Sequence, residues 1–197
     1  MPLNVTYRQG KKSDCREIAE LDYIASDGAV EYLFHDLVPN MTAVDVVSAG
    51  LEKDVYPHTY RSTYVAENDN QVIGMALSYP AKYHCISEEL ENFLPEDRLD
   101  HFRDFYSSRV ERSYLLDAIC VYEKYRGEGV GKSLLEHTKN KALDEGYDEL
   151  SLIMFSDNKN AIKFYRDNNF EQVKLIDLKP HRLMPHEGGC ILMKCAL

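Results

Sequence analysis

The sequence predicts an α/β fold: a central mixed, strongly twisted β-sheet flanked by helices. Three observations carry this expectation. An apolar strand pattern, Tyr114-Leu-Leu-Asp-Ala-Ile-Cys-Val121, runs into glycines at 127, 129 and 131 and then directly into an amphipathic helix pattern. Strand and helix patterns alternate from residue 113 to residue 178, which implies parallel pairing in the middle of the sheet. Hairpin patterns on either side make the sheet mixed.

In chain order, a strand is expected near 4–8, a helix near 13–26, and helical patterns near 29–37 and 43–53. Strands near 62–68 and 71–79 form a hairpin turning at Asp69-Asn70, residue types that accept the positive φ of a tight turn. Residues 81–112 are longer than a hairpin connection needs and read as a helical insertion, with Leu99, Phe102 and Phe105 on one helical face. The central strand (113–121) leads to a helix over 131–145 whose stripe comprises Leu134, Leu135, Thr138, Ala142 and Leu143, and which stops at Gly146. A strand (149–155), a helix (158–168) and strands at 170–178 and 189–195 complete the chain. No internal repeat, low-complexity tract or linker interrupts it, so residues 1–197 are expected to form one domain.

Composition narrows the function classes. Hydrophobic content of 44% and charged content of 28% are ordinary for a globular protein. No apolar run approaches the roughly 18 residues of a membrane span, and the start, Met1-Pro-Leu-Asn-Val-Thr-Tyr-Arg8, lacks a signal-peptide apolar region. Five cysteines, an odd number without CxxC spacing, indicate reduced thiols and a cytoplasmic location. A net charge of −10 argues against nucleic-acid binding and suits a cationic partner such as an amine. A homodimer is left open.

The segment Val121-Tyr-Glu-Lys-Tyr-Arg126-Gly127-Glu128-Gly129-Val130-Gly131-Lys132-Ser133 carries the most chemistry. Glycines at a strand-to-helix turn let backbone approach a ligand, and the new helix start offers amide N–H groups and a positive dipole end to an anion. Spacing separates the families that use this device. A P-loop would need glycine where Arg126 stands, and the dinucleotide fingerprint would need G-x-G-x-x-G, which puts glycine where Lys132 stands. The pattern that fits is [QR]-x-x-G-x-[GA], as Arg126-Gly-Glu-Gly129-Val-Gly131. This resembles the acetyl-CoA signature of the GNAT superfamily of N-acetyltransferases. A second segment, Ser156-Asp-Asn158-Lys-Asn160-Ala-Ile-Lys-Phe164-Tyr165-Arg-Asp-Asn-Asn-Phe170, is similar to the superfamily's second motif, in the expected order and distance. The longer resemblance, through Ala29-Val-Glu-Tyr-Leu33, Gly74-Met-Ala-Leu-Ser-Tyr-Pro80 and Leu116-Asp-Ala-Ile-Cys-Val-Tyr122, looks like a bacterial branch whose substrates are mostly unassigned.

The resemblance implies a GNAT fold and acetyl-CoA as cosubstrate, with no metal. It implies that residues 126–133 hold the pyrophosphate and that backbone of Ile119, Cys120 and Val121 pairs with the pantetheine arm like an added strand. It also implies that Asn158 bonds the pantetheine amides, although Asn158 equally suits a helix N-cap. Tyr165 is the candidate acid for the leaving thiolate, since a phenol of pKa about 10 keeps its proton at neutral pH; packing is its other role. Many relatives carry a glutamate where Ile153 stands, so the general base does not carry over. Asp117, a carboxylate in an apolar strand, is the candidate base, or else a charge satisfied by a neighbour.

His181, His186, Cys190 and Cys195 do not read as a zinc site, because Cys190 and Cys195 are five apart on a strand and point to opposite faces. His181, Arg182 and His186 belong to the connection between the last two strands, where the superfamily often shapes its acceptor site. Tyr56, His58, Tyr60, Arg61 and Tyr64 form an aromatic and polar cluster that either lines a pocket or packs at strand edges. The expected function is acetyl transfer to a primary amine of a small molecule or peptide by direct attack in a ternary complex. The alternative is a CoA-binding regulatory or interaction protein with the same fold.

Overall fold

A computed structural model describes residues 3–197. The elements are β1 (Val5–Gln9), α1 (Cys15–Ala25), α2 (Ala29–Phe34), α3 (Ala43–Glu52), β2 (Thr63–Asn68), β3 (Gln71–Pro80), α4 (Glu88–Phe93), α5 (Glu96–His101), α6 (Arg103–Ser107), β4 (Tyr114–Val121), α7 (Val130–Asp144), β5 (Glu149–Phe155), α8 (Lys159–Asp167), β6 (Glu171–Ile176) and β7 (Cys190–Ala196). The strands form one open, mixed sheet in the order β1-β2-β3-β4-β5-β7-β6, flanked by helices. The chain divides into two compact units, Met1–Tyr79 with Leu116–Lys141 and Pro80–Leu115 with Ala142–Leu197.

In the first unit, β1 pairs antiparallel with β2, and β2 with β3. Asn68 faces Gln71, and Asp69 and Asn70 have φ of 51° and 61°, so the hairpin closes with two left-handed residues as its Asp-Asn sequence predicts. Nine successive residues of β3, Val72–Pro80, are buried, as expected of a strand covered on both faces. Arg8 fastens β1 to its surroundings, donating to Asp14 at 2.6 Å and to Glu67 at 2.5 Å. Burial alone would raise the Asp14 pKa, but hydrogen bonds from Arg8 and the Lys11 amide bring it below its ordinary value. Helix α3 opens with a reciprocal cap in which Thr42 accepts from the Asp45 amide at 3.2 Å and Asp45 accepts from the Thr42 amide at 2.8 Å.

In the second unit, β5 and β6 both pair antiparallel with β7, and Tyr114 and Leu115 at the start of β4 pair parallel with Leu150 and Ser151 of β5. The Ser113 and Ser151 hydroxyls meet at 2.7 Å beside that junction. Helix α7 ends in a Schellman arrangement: the Gly146 amide donates to the Leu143 carbonyl and the Tyr147 amide to the Ala142 carbonyl, both at 2.9 Å, with Gly146 at φ 83°. Residues 81–112 contain the expected helical insertion, as three short helices.

Several expectations are corrected. The amphipathic pattern over 96–105 splits into α5 and α6 at Phe102, whose backbone (φ −100°, ψ 7°) leaves the helical region while its ring is buried. Leu143 is 47% exposed, although Leu134, Leu135, Thr138 and Ala142 are buried. At about 100° per residue, Leu143 lies roughly 180° around the helix from Leu134. The helix expected over 29–37 stops at Phe34, because His35 is extended and Asp36 is left-handed. The strand expected over 170–178 is shorter, Glu171–Ile176.

Gly74 shows how tightly β3 lies against the segment that precedes the glycine turn. A Cβ there would sit 2.9 Å from the Cys120 carbonyl oxygen, 3.1 Å from a Val121 methyl and 3.3 Å from a Leu134 methyl. Gly74→Ala is therefore expected to destabilise the fold by about 1–3 kcal/mol, since backbone must move to admit one carbon. Chemical denaturation of the variant and the parent reads this difference directly.

Candidate active site

The turn from β4 into α7 has the form its sequence predicts. Gly127 and Gly129 adopt φ of 83° and 81°, and a Cβ at either would meet nothing within 4 Å, so the turn faces open space. Residues 126–129 and Lys132 are exposed, Val130 is buried, and Gly131 and Ser133 are half-buried. The Arg126 side chain turns back and donates from Nε to the Val121 carbonyl at 2.9 Å, closing the loop on the strand that feeds it. The first helical hydrogen bond runs from the Ser133 amide to the Gly129 carbonyl at 3.0 Å. The amides of Val130, Gly131 and Lys132 thus have no acceptor within the helix, at the end where its dipole is positive. Left-handed glycines beside a fresh helix start make a backbone concavity suited to an anion such as a pyrophosphate.

Of the strand residues expected to carry a cofactor arm, the side chains of Cys120 and Val121 are buried and Ile119 is half-buried. Burial pushes the Cys120 thiol up, against a partial opposing effect of Arg126, so it remains a thiol.

Asp117 lies on β4 two residues before Ile119, on the same face. Its Oδ1 accepts from the Tyr79 hydroxyl at 2.8 Å, and its Oδ2 lies 3.5 Å from His58 Nε2. Tyr79 itself is fully buried on β3, with its hydroxyl 3.4 Å from the same His58 nitrogen. Asp22 of α1 completes the group electrostatically. Burial, reinforced by the negative charge of Asp117 and opposed by His58, pushes the Asp22 carboxyl up to about 7. Partial desolvation would lower the His58 imidazole, whose side chain stays 49% exposed, but the Asp117 hydrogen bond and the charges of Asp117 and Asp22 raise it above its ordinary value.

The expected aromatic cluster divides accordingly. His58 belongs to the Asp117 group, whereas Tyr60 and Arg61 bond Asp54 at 3.3 and 2.6 Å. Tyr64 stacks on His137 with ring centroids 5.5 Å apart, and Tyr56 is exposed. Sequence reasoning missed Asp22 and Tyr79. A signal existed for Asp22: it follows Ile18 by four residues and stands beside Leu21, an acid at the border of an apolar helical stripe.

In the second unit, Tyr165 is buried on α8, and burial alone pushes its phenol up, so it holds its proton throughout the neutral range. Its ring packs edge-on against Phe164 and Phe170 at 5.2 and 5.4 Å. Asn158 caps α8, its Oδ1 accepting from the Ala161 amide at 3.1 Å, one of the two roles open to it from sequence. His186 stacks on Phe155 at 3.8 Å and pairs with Asp157 at 2.9 Å, and His181 closes a small turn with Met184. Among the described residues, no helix is long and apolar enough to cross a membrane.

The acetyltransferase (GNAT) family model matches residues 30–170. The chain belongs to that family of acetyltransferases. It is 30% identical over 92 residues to thialysine N-epsilon-acetyltransferase of Bos taurus, a match covering 43% of this chain and 53% of that protein. The chain thus spans about half the length of that relative. Among solved structures, an N-acetyltransferase from Staphylococcus aureus Mu50 superposes with a TM-score of 0.71 at 22% identity, covering 98% of this chain and all 100% of that one. The PaiA N-acetyltransferase of Thermoplasma acidophilum, solved in complex with coenzyme A, gives 0.55 at 12% identity, covering 99% and 100%. These likenesses establish the fold.

The Asp22 carboxyl has a consequence for stability. Its native pKa of about 7 exceeds the roughly 3.9 of an unfolded aspartate, so between those values the folded state binds more protons than the unfolded one. This contribution makes stability fall as pH rises through that window. Asp22→Asn is expected to remove that decline, gaining on the parent between about pH 5 and about pH 8. Urea unfolding at the two pH values tests this; an equal difference at both would return Asp22 to an ordinary pKa.

Proposed function

We propose that the protein is an acetyl-CoA-dependent N-acetyltransferase, residues 1–197 acting as one catalytic domain on a primary amine by direct attack in a ternary complex. The observation that carries the reading is the open turn at 126–129, with two left-handed glycines at the start of α7. The family supports it, as do the thialysine acetyltransferase name of one relative and the coenzyme A bound in one structural neighbour.

Acetyl-CoA, when bound, supplies the thioester whose acetyl group passes to the amine. The backbone of Arg126, Gly127, Glu128, Gly129, Val130, Gly131, Lys132 and Ser133 would hold its pyrophosphate, and that of Ile119, Cys120 and Val121 its pantetheine arm. Asn158 would contact the same arm. Tyr165, kept protonated by burial, would donate its proton to the departing thiolate. Asp117 would place negative charge at the acceptor side, drawing in the cationic amine and serving its deprotonation. Charged, hydrogen-bonded groups around Asp117 support a catalytic role over cofactor binding alone.

Two substitutions probe the turn, with the fold of each variant checked by circular dichroism before binding is compared. Gly129→Val is expected to abolish coenzyme A binding, because a branched side chain would fill the open face from a left-handed backbone. Gly131→Ala is expected to retain binding and to stabilise α7 by up to about 1 kcal/mol, since a Cβ there makes only an ordinary 3.8 Å contact with Val121. Calorimetric titration with coenzyme A checks both; a Gly129→Val variant that binds like the parent would move the phosphate site elsewhere.

Tyr165→Phe is expected to lower turnover by about one hundred- to ten-thousandfold while leaving coenzyme A affinity nearly unchanged, since only the acidic proton is removed. Thiol release from acetyl-CoA with thialysine as acceptor gives the turnover. Unaltered turnover would leave Tyr165 a packing residue.

A further inference from the structure

We propose that His58 is the catalytic base that takes the proton from the acceptor amine, and that Asp117 is the positioning residue that orients it. The inference rests on the acetyltransferase reading above and assigns the step which that reading leaves without an acceptor atom for the proton.

His58 is positioned through its neighbouring backbone and through one edge of its ring. Thr59, next in the chain and buried, donates its hydroxyl to Asp54, and its carbonyl accepts from Thr63 at 3.2 Å, fixing the backbone beside His58. The Tyr79 ring stands edge-on to the imidazole, with centroids 5.3 Å apart and planes at 68°. Nε2 faces Asp117 Oδ2 at 3.5 Å and the Tyr79 hydroxyl at 3.4 Å. Tyr79 donates to the other oxygen of the same carboxylate at 2.8 Å, which stops Asp117 from rotating away. Asp117 from β4 and Tyr79 from β3 face the ring, and the charge of Asp22 on α1 acts on it from further off.

A carboxylate opposite Nε2 fixes the neutral tautomer: the proton resides on Nε2 and the lone pair on Nδ1. The side chain of His58 is 49% exposed and that of Asp117 only 20%. The imidazole, not the carboxylate, is therefore the member of the pair an incoming solute can reach. An ammonium group meeting Nδ1 would transfer one proton. An N–H bond of the ammonium breaks, an Nδ1–H bond forms, and the nitrogen retains the electron pair with which it attacks. The resulting imidazolium is stabilised by Asp117 directly and by Asp22 at longer range, and returns its proton to solvent through the exposed face of the ring. Both oxygens of Asp117 are already engaged, by Tyr79 and by His58.

The test has an arm that needs no turnover. Histidine ring resonances are followed by NMR as pH is varied, with His58→Gln identifying the His58 signal. His58 is expected to titrate above about 6.5, and Asp117→Asn to move its midpoint down. In the second arm, thiol release from acetyl-CoA is measured against pH with thialysine as acceptor. The parent kcat/KM is expected to rise with pH through the His58 midpoint. His58→Gln should abolish that limb and lower kcat about one hundred- to ten-thousandfold, and added imidazole should partly rescue His58→Ala. Asp117→Asn should shift the limb toward lower pH, a movement a purely structural residue would not produce. A His58 midpoint indifferent to Asp117→Asn overturns the proposal, as does a folded His58→Gln variant whose pH profile overlays the parent's. Failure to bind coenzyme A would overturn the acetyltransferase reading, while the NMR arm still decides whether Asp117 governs His58.

Discussion

The close approach of β3 to the end of β4 is the constraint on which the first unit's chemistry depends. Gly74 leaves less than one carbon's space beneath the Cys120 carbonyl, and the Tyr122 amide donates to the Ile73 carbonyl at 3.0 Å just beyond β4. The strand is thereby fixed to its last residue, and whatever hangs from its end inherits a defined position. Arg126 then returns its Nε to the Val121 carbonyl, so the loop does not swing from the strand. The left-handed glycines turn the chain, and α7 begins with its amides aimed outward. A looser strand end would leave the same glycines in the sequence but not the start of α7 in a fixed place.

The regular parts of this fold were legible because their signals are local. The Asp69-Asn70 turn needs two left-handed residues and has them; Gly146 ends α7 where a positive φ is required. The glycine turn was readable because residue spacing alone distinguishes it from a P-loop. What escaped was set by distant contacts or by angles that a listing of apolar residues blurs. Leu143 is apolar but lies on the wrong side of α7. The pattern over 96–105 continues smoothly through Phe102, yet the chain turns there and the ring is buried among Phe105, Tyr106 and His101.

The Asp117 group shows the same limit in the candidate site. Asp117 is a carboxylate in an apolar strand, and its hydrogen-bonding and ion-pair partners come from β3 and from the loop after α3, at positions 79 and 58, while the like charge of Asp22 on α1 acts against it. Nothing periodic links those numbers. A buried charge does predict that partners exist, because an isolated carboxylate in an apolar strand is too costly to persist. It does not say which side chains answer. Tyr79 reads as one more apolar-strand aromatic, and only its hydroxyl distance reveals its role.

Burial favours the neutral form wherever it acts, and what opposes it differs between the two units. At Tyr165 it is the sole influence and raises an already weak acid, so the phenol keeps a proton available for donation. At His58 it works against the charged form but is outweighed by two carboxylates, so the imidazole is a stronger base than a free one. Asp22 lies between these cases, a carboxyl raised by burial and by Asp117 until it titrates near neutrality. A proton arriving on His58 therefore lowers the cost of ionising Asp22, and an ionised Asp22 in turn favours the charged imidazole. Ile153 on β5 offers no such exchange and instead pairs with Leu192 of β7. The proton-accepting capacity that one carboxylate would supply on β5 is, in the proposed mechanism, distributed over a histidine and two aspartates of the first unit.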